Sequence, residues 1–571
     1  MNNFVFFFSL LIVSAFYIFA QPKHEVRAVW IATNHQLDWP PKSTNPDIQK
    51  NALIKILDNL KSKNFNTIYF QVRSQGTVLY KSEIEPWSSY LTGKLGSSSS
   101  YDPLEFVLEE AHKRNFEVHA WINVLNIKSG DFPIPITNPI HITLVQPNWI
   151  KKYFDGTTNS YWLDPGFPEV REYIRNICIE LVRNYDIDGI HLDYIRYPGK
   201  NFDDSLSYSL YGQGKSIEDF RRENITKLVS EIYDSLTIIK PSIKIGSTPI
   251  GIYENLSEAR GWEGKNDVFQ DSREWLKLGK QDYLTPQIYW DIESNPKFDI
   301  LARDWIRNNF NRQIIIGLGA YNPSVQKQLE QQIQLTREFG ANGQSFFRYE
   351  HIKNKWFNAY KFPAIIPPMK WKDSIPPEPP FLLSGRNYPD RLGLVELVWG
   401  IPEKAVDGDT AKYYLIYRNT DNQINREDPK HILSLTKNYY YYDFIRKPSQ
   451  LEYFYQVTSL DKNFNESTLA TEIIKVELTN LKNILTENYA KRISAISFSK
   501  DKINLLIEIP EKQFVNIKLM SKDDEVLSNV YEGEMKNGLN FIELKLPKIK
   551  EKKFVIKIMY SDLIERISFS L

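Results

Sequence analysis

The chain has 571 residues, which is too long for one ordinary domain, so about two to four domains are expected. Its 71 basic and 70 acidic side chains leave a net charge of +1, which gives no electrostatic reason to expect nucleic acid or an anionic membrane as a partner. Aromatic residues make up 14% of the chain. Most of them fill cores, but such a supply also favours surfaces that stack on the flat apolar faces of sugar rings.

Residues 1–20 are predicted to be a signal peptide, because Phe4 to Ala20 are almost wholly apolar and end in Phe-Ala-Gln. The stretch is short for a membrane-spanning helix, although the missing Lys or Arg at the start leaves an uncleaved anchor as an alternative. No later segment reaches the ~18 apolar residues that a span needs, so no transmembrane span is expected after cleavage. The protein is therefore expected to be secreted or periplasmic, with the cell surface as an alternative.

The single cysteine, Cys178, lies in a helical pattern and is expected to be a small buried hydrophobe without a disulfide partner. The eight His residues and this Cys show no zinc-type spacing, and no glycine-rich phosphate loop or nucleotide fingerprint occurs. Neither a metal nor another cofactor is predicted.

Eight short β-rich runs alternate with helical stretches between residues 22 and 365. Most are mainly apolar rather than alternating, as strands covered on both faces should be. The runs are VRAVWIAT (26–33), NTIYFQVR (66–73), EVHAWINV (117–124), GIHLDYIR (189–196), IKIGSTPIG (243–251), YLTPQIYW (283–290), QIIIGLGAY (313–321) and GQSFFRY (343–349). Repeated strand–helix units indicate a parallel sheet, and eight of them predict a (β/α)8 TIM barrel with long loops after the second and fourth strands.

Two all-β sandwich domains are predicted after the barrel. A proline-rich stretch, 366–380, reads as a semi-rigid linker. Residues 377–478 then alternate as sandwich strands do, and they resemble a fibronectin type III module with Trp399 as its buried tryptophan and Tyr453 at the tyrosine-corner position. Residues 483–571 form a third β unit that loosely resembles a C-terminal sorting domain of Bacteroidetes-type secretion. A plain accessory module is an equal alternative.

Asp193 is the one carboxylate of the fourth run, in an otherwise apolar and aromatic setting. In such a barrel the C-terminal strand ends form the active-site face, so position favours catalysis over a buried structural carboxylate. Other side chains at or just beyond strand ends are predicted to bind substrate: Gln71, Arg73, Trp87, His119, Trp121, Asn123, Tyr194, Tyr197, Gln287, Tyr289 and Trp290. Amides and Arg bond sugar hydroxyls, Trp stacks on the ring and two carboxyls cleave the bond. For His119 a polar core role is about as well supported.

The runs EVRAVWIATNHQLDWP, YFQVRSQG, EPWSSYLTG, YDPLEFVLEEAHKRNFEVHAWIN, LDPGFPEVREYI, DGIHLDYIRYP and DSREWLKLGKQDYLTPQIYW follow one another in order. Together they resemble the glycosyl hydrolase-like 10 family of bacterial envelope proteins. The resemblance implies a barrel glycoside hydrolase acting on peptidoglycan glycan strands, particularly strands stripped of their stem peptides. It also implies that Asp193 is the catalytic carboxylate. Many members carry a second acid directly after it, where this chain has Tyr194.

Several residues are candidates for the partner acid. Glu85 precedes Pro-Trp on the long second loop and lies within the resemblance, and Asp291 follows the sixth strand. Asp38, before Trp-Pro, has turn formation as an alternative role. Glu83, Glu254 and Asp271 are weaker candidates.

The sequence therefore predicts an enzyme that hydrolyses amino-sugar-containing envelope polysaccharide through carboxylate chemistry. A polysaccharide is the expected partner, and the C-terminal domains are candidates for contact with the cell surface or secretion machinery. Two alternatives stay open. One is a non-catalytic glycan-binding scaffold, and the other is a hydrolase of a glucosamine exopolysaccharide or an α-glucan.

Overall fold

The structure is a computed structural model that describes residues 21–131, 133–387, 393–445, 451–478, 493–498, 502–521, 523, 525–545, 553–560 and 564–570. The predicted signal peptide, 1–20, lies outside the described residues. The chain divides into two compact units, Met1–Ser374 and Ile375–Leu571. Within the described ranges, no helix combines the length and the apolar character needed to cross a membrane.

The first unit is built on a closed parallel barrel of eight strands, which confirms the predicted fold. The strands are β1 (Val26–Ile31), β2 (Thr67–Ser74), β3 (Glu117–Asn123), β4 (Gly189–Asp193), β5 (Lys244–Ser247), β6 (Tyr283–Leu284 and Gln287–Ile288), β7 (Gln313–Leu318) and β8 (Gly343–Phe346). Each strand pairs in parallel with its neighbours, and β1 pairs with both β2 and β8, which closes the barrel. Every residue of β1, β2, β3 and β4 is buried, because helices cover the outside and side chains fill the inside.

Among the described residues, the main helices after successive strands are α1 (Pro46–Ser62), α2 (Pro103–Lys113), α3 (Pro168–Asn184), α4 (Ile217–Ile239), α5 (Ser272–Lys277), α6 (Phe298–Arg307) and α7 (Pro323–Phe339). Short helices in the loops are Ser89–Thr92, Ile142–Val145, Ser205–Tyr211, Gly264–Asp267 and Tyr349–Ile352. Several begin where the sequence supplies a cap. Asn45, Asp102 and Asn322 each precede a proline at the first helical position and accept backbone N–H groups of the first turn. At the other end of α7, Gly340 adopts a left-handed conformation (φ +86°) that closes the helix.

A hydrogen-bonded column of polar side chains runs up the barrel interior and consists of Lys244, Glu117, His119, Tyr283, His191 and Trp30. Trp30 Nε1 donates to His191 Nε2 at 3.0 Å, so the other ring nitrogen of His191 carries the proton and donates to the Tyr283 hydroxyl. Burial lowers the pKa of His191 well below its usual value, which keeps the ring neutral. The column fixes the orientation of Trp30 near the C-terminal end of β1.

The predicted linker, 366–380, begins as part of the barrel unit. Ile366 and Met369 are buried, and Lys372 forms an ion pair with Asp282 at 3.0 Å. Trp371 also donates to Asp282 at 2.8 Å. These contacts hold the first half of the proline-rich segment against the barrel, and the unit ends at Ser374.

The second unit contains antiparallel sheets in the described ranges, as expected for β-sandwich domains. Its first two sheets have the strand orders Phe381–Asn387, Leu394–Gly400, Tyr440–Phe444 and Ile432–Thr436, Tyr413–Asn419, Glu452–Leu460, Ile474–Glu477. The next two have the orders Ile493–Phe498, Lys502–Ile509, Gly538–Lys545 and Val526–Met535, Gln513–Ser521, Lys553–Met559, Ile564–Ser570. Trp399 and Tyr453 are both buried. The fibronectin type III and sorting-domain resemblances stay predictions.

Candidate active site

A cavity of about 380 Å³ opens at the C-terminal ends of the barrel strands. Its walls come from the ends of β1, β2, β3, β4 and β6 and from the residues that follow β5, β7 and β8. The lining residues are Trp30, Ala32, Asn34, Leu37, Gln71, Trp121, Asn123, Asp193, Tyr194, Arg196, Thr248, Gln287, Tyr289, Tyr321 and Phe347. A concave site of this size with aromatic walls and a few convergent polar groups is typical of a small-molecule or sugar subsite.

Asp193 is the last residue of β4 and lies almost fully buried in this cavity. Its Oδ1 accepts the backbone N–H of Tyr194 at 2.7 Å, and its Oδ2 accepts the indole N–H of Trp121 at 3.2 Å. Tyr194 has a left-handed backbone (φ +53°), which turns the chain sharply directly after the carboxylate. Burial raises the pKa of Asp193 to about 6, against the opposing effects of these two donors and of the positive charge of Arg196.

Two amide side chains hold each other beside Asp193. Gln71 Oε1 accepts the backbone N–H groups of Thr33 and Asn34 at 3.0 and 2.8 Å, which orients its amide. Gln71 Nε2 therefore donates to Asn123 Oδ1 at 3.2 Å. Asn123 is the register partner of Asp193 across β3 and β4, and both side chains line the cavity. With its Oδ1 accepting from Gln71, the amide nitrogen of Asn123 is left as a donor.

The aromatic wall of the cavity centres on Phe347, the first residue after β8. Its ring lies 5.6 Å from that of Tyr289, 5.8 Å from Trp30, 6.1 Å from Tyr321 and 6.4 Å from Trp121. Aromatic rings at these separations support one another and present a rigid apolar surface. The sequence-based predictions did not include Trp30, Tyr321 or Phe347, although the strand-end rule applied to strands 1, 7 and 8 would have found them.

Other predicted site residues lie outside the cavity lining, and Glu85 is the most informative of them. It is buried, and Arg73 donates to both of its oxygens at 2.6 and 2.7 Å. Tyr173 donates to Oε1 as well, at 2.7 Å. Arg73 also donates to the backbone carbonyls of Asn123 and Val124, so the Arg73–Glu85 pair supports the end of β3 from outside the cavity. This geometry does not bring Glu85 to Asp193, and it favours a structural role for both members of the pair.

The remaining predicted residues are spread around the barrel. His119 belongs to the interior column, and Tyr197 packs between Phe202 and Phe269 with ring separations of 5.2 and 5.7 Å. Trp87 and Trp290 are half-buried against the main hydrophobic core and do not line the cavity. Asp291 accepts the N–H and hydroxyl of Ser294 in a loop turn, and the N–H bond lowers its pKa.

The other acids considered as partners are engaged elsewhere. Asp38 forms an ion pair with Arg348 at 2.6 Å and accepts two backbone N–H groups, Glu254 pairs with Lys265 at 2.9 Å, and Asp271 accepts the Tyr253 hydroxyl. Among the described residues that line the cavity, Asp193 is the only carboxylate, and neither His nor Cys is present. This donor set suits proton transfer to a sugar rather than the binding of a metal.

A (β/α)8 barrel with a buried acid, oriented amides and aromatic walls at its C-terminal face defines a glycosyl hydrolase-like barrel protein. Residues 25–336 match the family described as Glycosyl hydrolase-like 10. The chain is 32% identical over 494 residues to glycosyl hydrolase YngK of Bacillus subtilis (strain 168), which covers 80% of this chain and 94% of that protein. It is 34% identical over 339 residues to glycosyl hydrolase DigH of Escherichia coli (strain K12), covering 54% and 76%.

These matches show that the chain belongs to the glycosyl hydrolase-like 10 family, which confirms the resemblance seen in the sequence. Among solved structures, the catalytic domain of a β-amylase from Paenibacillus polymyxa is similar at a TM-score of 0.42 and 13% identity, covering 58% of this chain and 94% of that one. A similarity this low carries no argument about chemistry.

Proposed function

We propose that the protein hydrolyses glycosidic bonds in amino-sugar-containing envelope polysaccharide, with peptidoglycan glycan strands stripped of stem peptides as its substrate. The observation that carries this proposal is the burial of the Asp193 carboxyl in the cavity, which raises its pKa. A carboxyl with a pKa near 6, in a sugar-sized cavity, is protonated often enough near neutral pH to give a proton to a leaving oxygen. The predicted signal peptide supports action outside the cytoplasm, in the periplasm or at the cell surface.

The cavity provides one carboxylate, whereas most glycoside hydrolases use two. We infer that the second group comes from the substrate, as in the substrate-assisted enzymes. In the first step the C1–O bond breaks, Asp193 gives its proton to the leaving oxygen, and the carbonyl oxygen of the 2-acetamido group bonds to C1. In the second step water attacks C1 and gives a proton to the Asp193 carboxylate, which reopens the cyclic oxazolinium ion to the acetamide. Two displacements at C1 leave its configuration retained.

The test uses the purified protein with intact and amidase-treated cell-wall sacculi. Release of oligosaccharides from the treated sacculi, abolished in Asp193→Asn, is expected. Proton NMR of the first product should show retained anomeric configuration, and de-N-acetylated strands should be turned over at least about a hundredfold more slowly because they lack the acetamide nucleophile. Inverted product would refute the substrate-assisted step. Absence of products from every sacculus preparation would refute the hydrolase itself.

The lone carboxylate also supports a second candidate function, a barrel that binds glycan without cleaving it. In that case the protein should bind stripped strands, release no product, and bind equally well after Asp193→Asn. Product release by the wild type but not by Asp193→Asn excludes this alternative.

A further inference from the structure

Arg196 is the only cation that lines the cavity among the described residues, and it lies three positions beyond Asp193. Its guanidinium carbon is 4.8 Å from the ring centre of Trp262, 5.2 Å from Tyr194 and 5.3 Å from Trp162. Three aromatic rings therefore hold the guanidinium group in place through cation–π contacts. Trp262 is 46% exposed, so this aromatic cluster reaches the solvent side of the site.

The guanidinium group of Arg196 is poorly satisfied by the protein. It donates one hydrogen bond, from Nη1 to the carbonyl of Tyr197 at 3.1 Å, and it forms no ion pair with any described residue. Its other N–H groups have no described protein acceptor, and desolvation lowers its pKa. By contrast, each arginine that is buried in the barrel unit has an acidic partner: Arg27 with Glu25, Arg73 with Glu85, Arg171 with Glu231 and Arg221 with Asp204.

The nearest acid in the cavity, Asp193, does not neutralise Arg196. No N–O distance between the two is within 4.0 Å, and burial outweighs the charge of Arg196 in setting the Asp193 pKa. This separation preserves both groups for the substrate, because a direct ion pair would hold Asp193 ionised and occupy the guanidinium fork. A desolvated cation without a counter-charge is costly, so a site that keeps one is adapted to an anionic ligand.

We propose that Arg196 binds a carboxylate of the sugar substrate, specifically the 3-O-lactyl carboxylate that appears when the stem peptide is removed from a peptidoglycan strand. While the peptide is attached, this carboxyl is a neutral amide that offers neither a negative charge nor two acceptor oxygens. After its removal, the free carboxylate matches the planar guanidinium fork. Arg196 is then the residue that distinguishes stripped strands from intact ones. This inference rests on the proposed function and names the group of the substrate that the site recognises.

The experiment compares four substrates with wild type, Arg196→Gln and Arg196→Lys. These are stripped strands, the same strands with the lactyl carboxylate converted to a methylamide, N-acetylglucosamine oligomers without the lactyl group, and a polymer of N-acetylglucosamine and glucuronic acid. Wild type should show a kcat/KM on stripped strands about 10- to 100-fold above that on the methylamide. Arg196→Gln should remove this difference, because the loss of kcat/KM on stripped strands should exceed the loss on the two neutral substrates by about the same factor, and Arg196→Lys should retain only part of the difference.

The control variant is Arg183→Gln, in the exposed last turn of α3 at the opposite end of β4, and it should keep the full preference. Equal losses of Arg196→Gln on all four substrates would overturn the proposal, because they would mean that Arg196 acts through Asp193 or through folding. A preference for the glucuronic acid polymer over stripped strands would overturn the lactyl assignment.

Binding measurements separate this proposal from the proposed function. In the Asp193→Asn background, dissociation constants are measured for stripped strands and for the methylamide, with and without Arg196→Gln. A carboxylate preference that depends on Arg196, found together with an absence of turnover by the wild type, would support the recognition and refute the hydrolase. Turnover without any such preference would do the reverse.

Discussion

Replacing Asp193 by Asn is expected to abolish turnover and yet to stabilise the barrel at neutral and alkaline pH. The pKa of Asp193 rises from 3.8 to about 6 on folding, so the folded state binds the proton more tightly than the unfolded state. The stability that this group contributes is fully present below pH 4 and is lost as the pH rises through 6. Because each pH unit between the two values corresponds to about 1.4 kcal/mol, ionised Asp193 costs on the order of 3 kcal/mol at pH 8.

The Asn side chain cannot ionise, so the variant avoids the cost of burying an ionised Asp193. Its Oδ1 keeps the Tyr194 N–H bond, but its amide nitrogen faces the Trp121 indole N–H, donor against donor, which costs about 1 kcal/mol. The net gain is therefore about 2 kcal/mol at pH 8, and near pH 3, where Asp193 is protonated in both states, the variant should be the less stable protein by about 1 kcal/mol.

Urea unfolding followed by tryptophan fluorescence measures this change in the barrel, because 12 of the 13 tryptophans precede residue 375. The matched control is Asp164→Asn. The pKa of Asp164 is also raised to about 6 by burial, but the residue does not line the cavity, so the variant should show pH dependence of the same sign and keep its turnover. A stability difference between wild type and Asp193→Asn that does not vary between pH 3 and pH 8 would refute the reasoning.

Three further outcomes are expected. The kcat/KM of the wild type should fall as the pH rises above about 6, because the acid form of Asp193 is lost. Trp121→Phe should move this decline to higher pH, because the substitution removes a hydrogen bond to the ionised carboxylate. A pH profile that does not move would contradict this expectation. Glu85→Gln should lower the free energy of unfolding by about 3–5 kcal/mol, because it leaves Arg73 buried without its partner. The pH profile of the folded enzyme should not change. Full stability with lost turnover would instead restore Glu85 as the partner acid. Asp291→Asn should change stability by less than about 0.5 kcal/mol and turnover by less than about twofold, since the side chain bonds to Ser294 and Ser324 and does not line the cavity. A loss of several powers of ten in turnover would return Asp291 to the mechanism.

The fold could be predicted from the sequence because its signals are local. Seven of the eight predicted runs contain the corresponding strand, and the second run misses only the last residue of its strand, Ser74. The caps at Asn45, Asp102 and Asn322 mark helix starts that a single sequence shows directly. The contacts at the start of the predicted linker could not be predicted, because Lys372 and Trp371 are held by Asp282, about ninety residues earlier, and periodicity carries no information about such pairs.

The candidate site could be predicted where a strand end alone decides which side chains face the cavity. Asp193, Trp121 and Asn123 follow that rule, and they line the cavity together. Their catalytic and binding roles stay predictions. Arg73 and Glu85 do not line the cavity, and the sequence could not show this because each looks like a functional group in isolation. Only the folded loop reveals that the two charges neutralise each other outside the cavity.

Arg73 and Arg196 differ in how their charges are neutralised, and this difference leaves one positive charge in the cavity for a ligand. Arg73 is paired with Glu85, and its remaining N–H groups donate to the backbone carbonyls at the end of β3, so it rigidifies the wall beside Asp193. Arg196 has aromatic neighbours instead of an acid, so its charge remains available to a ligand. A second acid beside Asp193, where the chain has Tyr194, would pair with Arg196 and raise the cost of ionising Asp193. The tyrosine at that position therefore fits a site with one proton donor, one free cation and a substrate that brings its own nucleophile.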